Sequence, residues 1–241
     1  FYLSGNWENT EAALKSVAYE DYNFRANITQ KFTENLDVDV KVGLQASEQP
    51  GTCQDGFFIN CPFSAIQFEP PITKPFSEDG SYYPFTSFGQ SNNAAVILQE
   101  VDPLLEQTKI IGNISPSYEI APWLRLDAQL GMDWQRIRET DYESPIADPG
   151  GGGNNQVRNA TVTDLTTNAT LNASRTFADV HDVSVLVGSE YRREFVVDDE
   201  FGVEGFNNPF FQVADAASSI SFFQGNNTEF RLLSGFGNIN Y

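Results

Sequence analysis

The chain has 241 residues, with 14 Lys and Arg against 33 Asp and Glu, a formal net charge of −19. That acidity excludes nucleic acid as a partner and argues against docking on an anionic membrane surface, because nothing here neutralises a run of phosphates. With 40% hydrophobic and 13% aromatic residues the chain is not globally disordered, and it has no run of about 18 apolar residues that would make a transmembrane helix.

The dominant signal along the chain is period-2 alternation, the mark of strands with one apolar and one polar face. Phe1 to Trp7 opens the set. In residues 21–31, Tyr22, Phe24, Ala26 and Ile28 alternate with Asn23, Arg25, Asn27 and Thr29. In 36–47, Val38, Val40, Val42, Leu44 and Ala46 alternate with Asp37, Asp39, Lys41, Gln45 and Ser47. A helical turn or two is expected near Asn93 to Leu98. Residues 109–120 set Ile110, Ile114, Tyr118 and Ile120 against Asn113, Ser115, Ser117 and Glu119. Residues 124–138 set Leu124, Leu126, Ala128, Leu130, Met132 and Trp134 against Arg125, Asp127, Gln129, Asp133 and Gln135. Residues 159–175 are Thr-rich, and 183–195 set Val183, Val185, Val187, Tyr191 and Phe195 against Ser184, Gly188, Glu190 and Arg192. Residues 230–241 complete about eight strands.

The connections alternate in length. Tight turns are expected at 32–35, 121–123 and 178–182, and long loops near 8–20, 48–108, 139–158 and 196–229. In an up-and-down meander this puts every long loop at one end, as in outer-membrane barrels with short periplasmic turns and long extracellular loops. Aromatics gather toward both strand ends. The ten steps from Leu124 to Trp134, at about 3.3 Å each and a tilt near 40°, span about 25 Å, the height of a barrel's apolar band. The fold expected is therefore an all-β, transmembrane, antiparallel up-and-down barrel. Both ends of the chain read as strand, and no initiator Met or signal peptide is visible, so about eight strands of a larger barrel fit better than a small closed one.

The candidate chemistry is sparse. Cys53 and Cys61 fall in one loop and read as a local disulfide of an oxidising compartment, with two free thiols as the alternative. The single histidine, His181, has no nucleophile beside it in sequence, and no enzyme is expected. Acidic runs such as Asp198-Asp199-Glu200 and Glu78-Asp79 offer hard oxygens to Ca²⁺ but lack a complete metal-loop spacing, so no cofactor is expected beyond that option. Lumen-facing candidates are Arg25, Asn27, Glu119, Asp127, Asp133, Glu190 and Arg192. Loop aromatics Phe57, Phe58, Phe85, Phe88, Phe210 and Phe211 would stack on a ligand, bury against a partner, or stiffen their own loops.

The order of short motifs is similar to the barrel of SusC/RagA-type TonB-dependent transporters. The matching residues are Phe1-Tyr2-Leu3-Ser4-Gly5, Tyr22-Asn23-Phe24-Arg25-Ala26-Asn27-Ile28 and Leu36-Asp37-Val38-Asp39-Val40-Lys41-Val42-Gly43. Further along come Ile111-Gly112-Asn113-Ile114, Tyr118-Glu119-Ile120, Gly131-Met132-Asp133, Gly188-Ser189-Glu190 and Gly237-Asn238-Ile239-Asn240-Tyr241. The resemblance implies a barrel of about 22 strands holding a plug domain, a multi-pass protein of the Gram-negative outer membrane. It implies import of oligosaccharides or peptides with a SusD-type surface lipoprotein, driven by TonB–ExbB–ExbD. No plug or TonB box is recognisable in these residues. A secreted or surface β-rich adhesin or binding module is the competing reading. In it the apolar faces would pack on each other rather than on lipid.

Overall fold

The computed structural model describes residues 1–14, 16–51, 72, 74–83, 93–148, 150, 152–208 and 210–241. Eight strands form one sheet in sequence order. They are β1 (Tyr2–Glu11), β2 (Ala18–Thr33), β3 (Leu36–Pro50), β4 (Val101–Ala121), β5 (Leu124–Glu143), β6 (Asn154–Phe177), β7 (His181–Phe206) and β8 (Ala217–Asn240). Every neighbouring pair is antiparallel. Among the described residues, a helix, α1 (Ala94–Glu100), precedes β4, and a 3-10 turn (Ala214–Ala216) precedes β8.

The alternation carries through the register. Residues paired across two antiparallel strands share a face, and Ile28, Val40, Ile114, Leu130, Thr167, Tyr191 and Leu233 form one such cross-sheet row. These apolar side chains are not covered. Leu130 is 52% exposed, Val187 57% and Leu233 77%. So wide an apolar surface needs a cover that these strands do not themselves supply.

The strands run further than hydrophobic patterning indicates. Expected spans of 1–7, 21–31, 109–120, 124–138, 159–175, 183–195 and 230–241 become 2–11, 18–33, 101–121, 124–143, 154–177, 181–206 and 217–240, and 36–47 becomes 36–50. The long connections shrink accordingly. The expected loops 8–20, 139–158 and 196–229 reduce to 12–17, 144–153 and 207–216, and 48–108 ends at 100. The physical reason is that beyond the apolar band neither face keeps one character, with buried residues such as Tyr142, Val157 and Val203 interspersed among polar ones. The backbone ladder continues there without any apolar period to announce it. Beyond Trp134, β5 still has nine residues paired with β6, so the wall stands about 20 Å above the apolar band. The lopsided pattern is retained, with turns at 34–35, 122–123 and 178–180 on the opposite end.

The buried residues lie at the long-connection end. Val96 and Ile97 of α1 pack with Val101 and Ala147, and Tyr142, Val203 and Phe206 form a second cluster. Asn93 caps α1 by accepting from the Ala95 amide at 2.9 Å, and its own amide group donates to the Pro75 carbonyl at 2.7 Å. Gly153 sits at φ 85° beneath the second cluster. A Cβ there would lie 2.8 Å from the Glu143 carbonyl oxygen and 2.9 Å from the Pro145 nitrogen. Gly153→Ala is expected to destabilise this end by about 1–3 kcal/mol. Hydrogen exchange at the Gly205 and Phe206 amides, which donate to the Gly153 and Gly152 carbonyls, should quicken by roughly 5- to 100-fold. Gly80→Ala, at φ 84° with open space around it, should show the smaller cost of the left-handed backbone alone.

Candidate functional site

The face opposite the apolar one is predominantly polar from β1 to β7. The register places Arg25, Asn27, Glu119, Asp127, Asp133, Glu190 and Arg192 on it together. Asn27, Lys41, Asn113, Gly131, Thr166 and Arg192 form one cross-sheet row, and Arg25, Gly43, Ile111, Asp133 and Asp164 form the next.

Part of the charge on this face is held in pairs of opposite sign. Arg192 donates to Asp164 through Nη2 at 2.5 Å and Nε at 3.0 Å, and to Glu194 at 3.2 Å. Lys109 meets Asp133 at 3.1 Å. Arg125 donates to Asp127 at 2.8 Å, whose other oxygen accepts from Asn172 at 3.1 Å. Higher up, Arg158 makes a two-pronged contact with Asp198, at 3.0 and 2.8 Å, and reaches Glu139 at 3.5 Å. Amide and hydroxyl groups fill the spaces between. Asn168 donates to Gln129 at 3.1 Å, Gln45 to Asp21 at 3.0 Å, and Asn23 also donates to Asp21. The result is a wall rich in donors and acceptors, with ion-paired clusters set among further carboxylates. Such a wall can bind and release a polar solute at many weak sites without gripping it at one.

Near the tight turns this face opens into a cleft of about 440 Å³ lined by Glu119, Trp123, Arg125, Asn172, Ser184 and Asn238. The acidic run that offers oxygens to Ca²⁺ is laid out along a strand. Asp198 to Glu200 lie within β7, not in a loop. Asp198 is taken by Arg158 on the polar face, Glu200 accepts from Gln224 at 2.7 Å, and Asp199 between them faces the other way. Asp79 is engaged by the Ser81 amide and hydroxyl. Among the described residues, no three His, Cys, Asp or Glu side chains are grouped to hold a metal.

Phe210 and Phe211 are exposed at the long-connection end, at 89% and 59%. Cys53, Cys61, Phe57, Phe58, Phe85 and Phe88 lie outside the described residues. Pattern reading missed Asp164, Lys109 and Arg158 as partners, because only the register brings them across strands. It also missed apolar residues on the polar face of β8: Phe230, Leu232 and Phe236, the last with its ring directly over Gly188.

No family model matches the chain. Across its whole length the chain is 23% identical to the TonB-dependent receptor P26 of Formosa agariphila, over 24% of that protein. The structure superposes on the RagAB peptide transporter with a TM-score of 0.76 at 19% identity, covering 93% of this chain and 26% of the other. It superposes on the RagAB peptide importer in the closed–closed state with a TM-score of 0.78 at 18% identity, covering 98% and 27%. The fold matches that of a segment of the RagAB transporter structures, eight antiparallel strands in sequence order. The chain spans about a quarter of the length of these relatives. The SusC/RagA-like neighbours are named as a receptor and as transporters, not as enzymes.

Proposed function

We propose that this stretch forms part of the wall of an outer-membrane importer of the SusC/RagA type, with the apolar face toward lipid and the polar face toward the lumen. The observation that carries the reading is the inverted polarity of the sheet, apolar outside and ion-paired inside, over a band about 25 Å tall. The whole protein would take up large nutrients by binding and gated passage, without bond chemistry. Oligopeptides are the favoured substrate class. The neighbours in fold are named for peptide transport, and a wall offering interleaved carboxylates, guanidiniums and amides suits a chain that carries N–H, C=O and both terminal charges. Oligosaccharides are the second class. A SusD-type lipoprotein would close the long-connection end, and TonB–ExbB–ExbD would act from the periplasm through a plug.

The test is uptake by cells lacking the full-length gene and by cells carrying it again. Labelled oligopeptides should enter only in the complemented strain and only while TonB is functional. Gene-dependent entry of oligosaccharides, with none of peptides, would overturn the substrate class. Purified material that stays monomeric in water without detergent would overturn the barrel reading and revive the adhesin.

A further inference from the structure

A charged group interrupts the upper part of the apolar face on β7 and β8. Arg193 of β7 and Glu229 and Arg231 of β8 lie on the same face as Leu165, Tyr191 and Leu233. Arg193 stands directly across from both Leu165 and Arg231, and Glu229 stands across from Phe195. One carboxylate oxygen joins the group. Glu229 Oε1 accepts from Arg193 Nε at 2.6 Å and from Arg231 at 2.8 Å (Nε) and 2.7 Å (Nη2). The Arg193 guanidinium also lies 5.9 Å over the Phe195 ring.

Two features suggest more than an internal ion pair. Among the described residues, two guanidiniums share one carboxylate, which leaves one positive charge in excess on the face where charge is least welcome. Their side chains remain 42% and 60% exposed, and a guanidinium has five N–H donors, more than one oxygen can use. The depth is specific as well. By register the arginines lie one row to the tight-turn side of the Trp134, Thr163, Phe195 and Glu229 row, just inside the upper aromatic residues at the long-connection end. Their stems can lie along apolar surface with the heads in the headgroup layer. Paired guanidiniums match phosphate oxygens in both charge and geometry.

We propose that Arg193 and Arg231, held together by Glu229, form a binding site on the lipid-facing wall for the phosphate of a phosphorylated glycolipid of the outer leaflet, lipid A. This rests on the reading above that the apolar face meets the bilayer.

The test uses the full transporter containing this chain, reconstituted in phosphatidylcholine vesicles with either phosphorylated lipid A or lipid A stripped of its phosphates. Phenylglyoxal modification of individual arginines is followed by peptide mass spectrometry. The phosphorylated lipid should slow modification of Arg193 and Arg231 by about tenfold or more and leave Arg158, on the opposite face, unchanged. Equal rates with the two lipids would overturn the proposal. So would equal protection by inorganic phosphate added to the stripped lipid, or protection that appears only in cross-linked pairs of transporters whichever lipid is present. As a second arm, Arg193→Gln with Arg231→Gln should lower the lipid A retained in native mass spectrometry, and the Lys pair should restore part of it. If the Gln pair fails to fold, the unmodified protein still decides the matter. Leu130→Cys and Leu171→Cys report on the bilayer reading separately. Their labelling by a water-soluble maleimide in both lipids would overturn that reading, whereas their protection alongside unprotected arginines would overturn the phosphate site alone.

Discussion

Replacing Leu130 by arginine is expected to cost about 2–4 kcal/mol of stability in a bilayer, and the same change at its neighbour Gln129 little or nothing. The two residues are adjacent in sequence and opposite in environment. Leu130 lies seven residues above Trp123 and four below Trp134, near the middle of the apolar band, in a row flanked by Ile114 and Thr167. No carboxylate is placed across from it on that face, so a guanidinium there would have to stretch several ångströms to water or draw water in. Gln129 is across from Asn168, which donates to it at 3.1 Å. An arginine at 129 would lose that bond and gain a polar wall with Asp127 and Glu190 on the same face. Reversible guanidinium unfolding of the full transporter in phospholipid vesicles measures both. Placing the arginine at Thr163, across from Trp134, should cost only about 0–1 kcal/mol, because the interface tolerates charge. A flat response across positions 130, 129 and 163 would contradict a lipid-facing wall. A large penalty at 129 would mean that the polar face is packed rather than wet.

The same contrast explains how much was legible beforehand. Between Leu124 and Trp134 one face is apolar and the other wet, so period-2 alternation names the strand and both of its faces. Above Trp134 the residues alternate Arg136, Arg138 and Thr140 with Gln135, Ile137 and Glu139, and no apolar period remains. The ladder with β6 nevertheless runs on to the Glu143–Asn154 pair. In β8 the run Ile220-Ser221-Phe222-Phe223 places aromatics on both faces, and Phe222 ends up over Gly202. Patterning had no means of starting a strand there. The polar face was legible as a set of residues but not as a set of pairs. Arg192 and Asp164 are 28 apart in sequence, and their contact at 2.5 Å depends on strand register, which the three-residue turn at 178–180 fixes. Of helix α1 (Ala94–Glu100), only a turn or two near Asn93 to Leu98 was legible. What α1 is tied to was not.

That tie is the subject of the second large effect. Glu100→Ala is expected to loosen the cap at the long-connection end by about 1.5–3 kcal/mol while leaving the unfolding of the barrel wall unchanged. Glu100 closes α1 and holds two other segments. Its Oε2 accepts from the Ser144 hydroxyl at 2.7 Å, its Oε1 from the Tyr82 hydroxyl at 3.0 Å, and its carbonyl from the Ser144 amide at 2.8 Å. Only the last survives the substitution. Tyr82 has a fallback acceptor in Gln99 at 3.2 Å. The Ser144 hydroxyl, in a residue just 2% exposed, would lose its acceptor in a place water does not readily reach, so most of the cost should fall there. Burial, followed by the bond to Glu100 and its negative charge, raises the Tyr82 hydroxyl to about 12. Tyrosine therefore stays a donor throughout the neutral range, and the effect should not vary with pH there through Tyr82. Hydrogen exchange at the Val96 and Ile97 amides, which donate to the Asn93 carbonyl, should rise by roughly 10- to 100-fold. Glu100→Gln keeps an acceptor without the charge and should fall between the two. If exchange at α1 is unchanged in Glu100→Ala, the cap is held by Val96, Ile97, Val101 and Ala147 alone. If barrel stability falls with it, cap and wall unfold as one unit, and the mouth cannot open without the sheet.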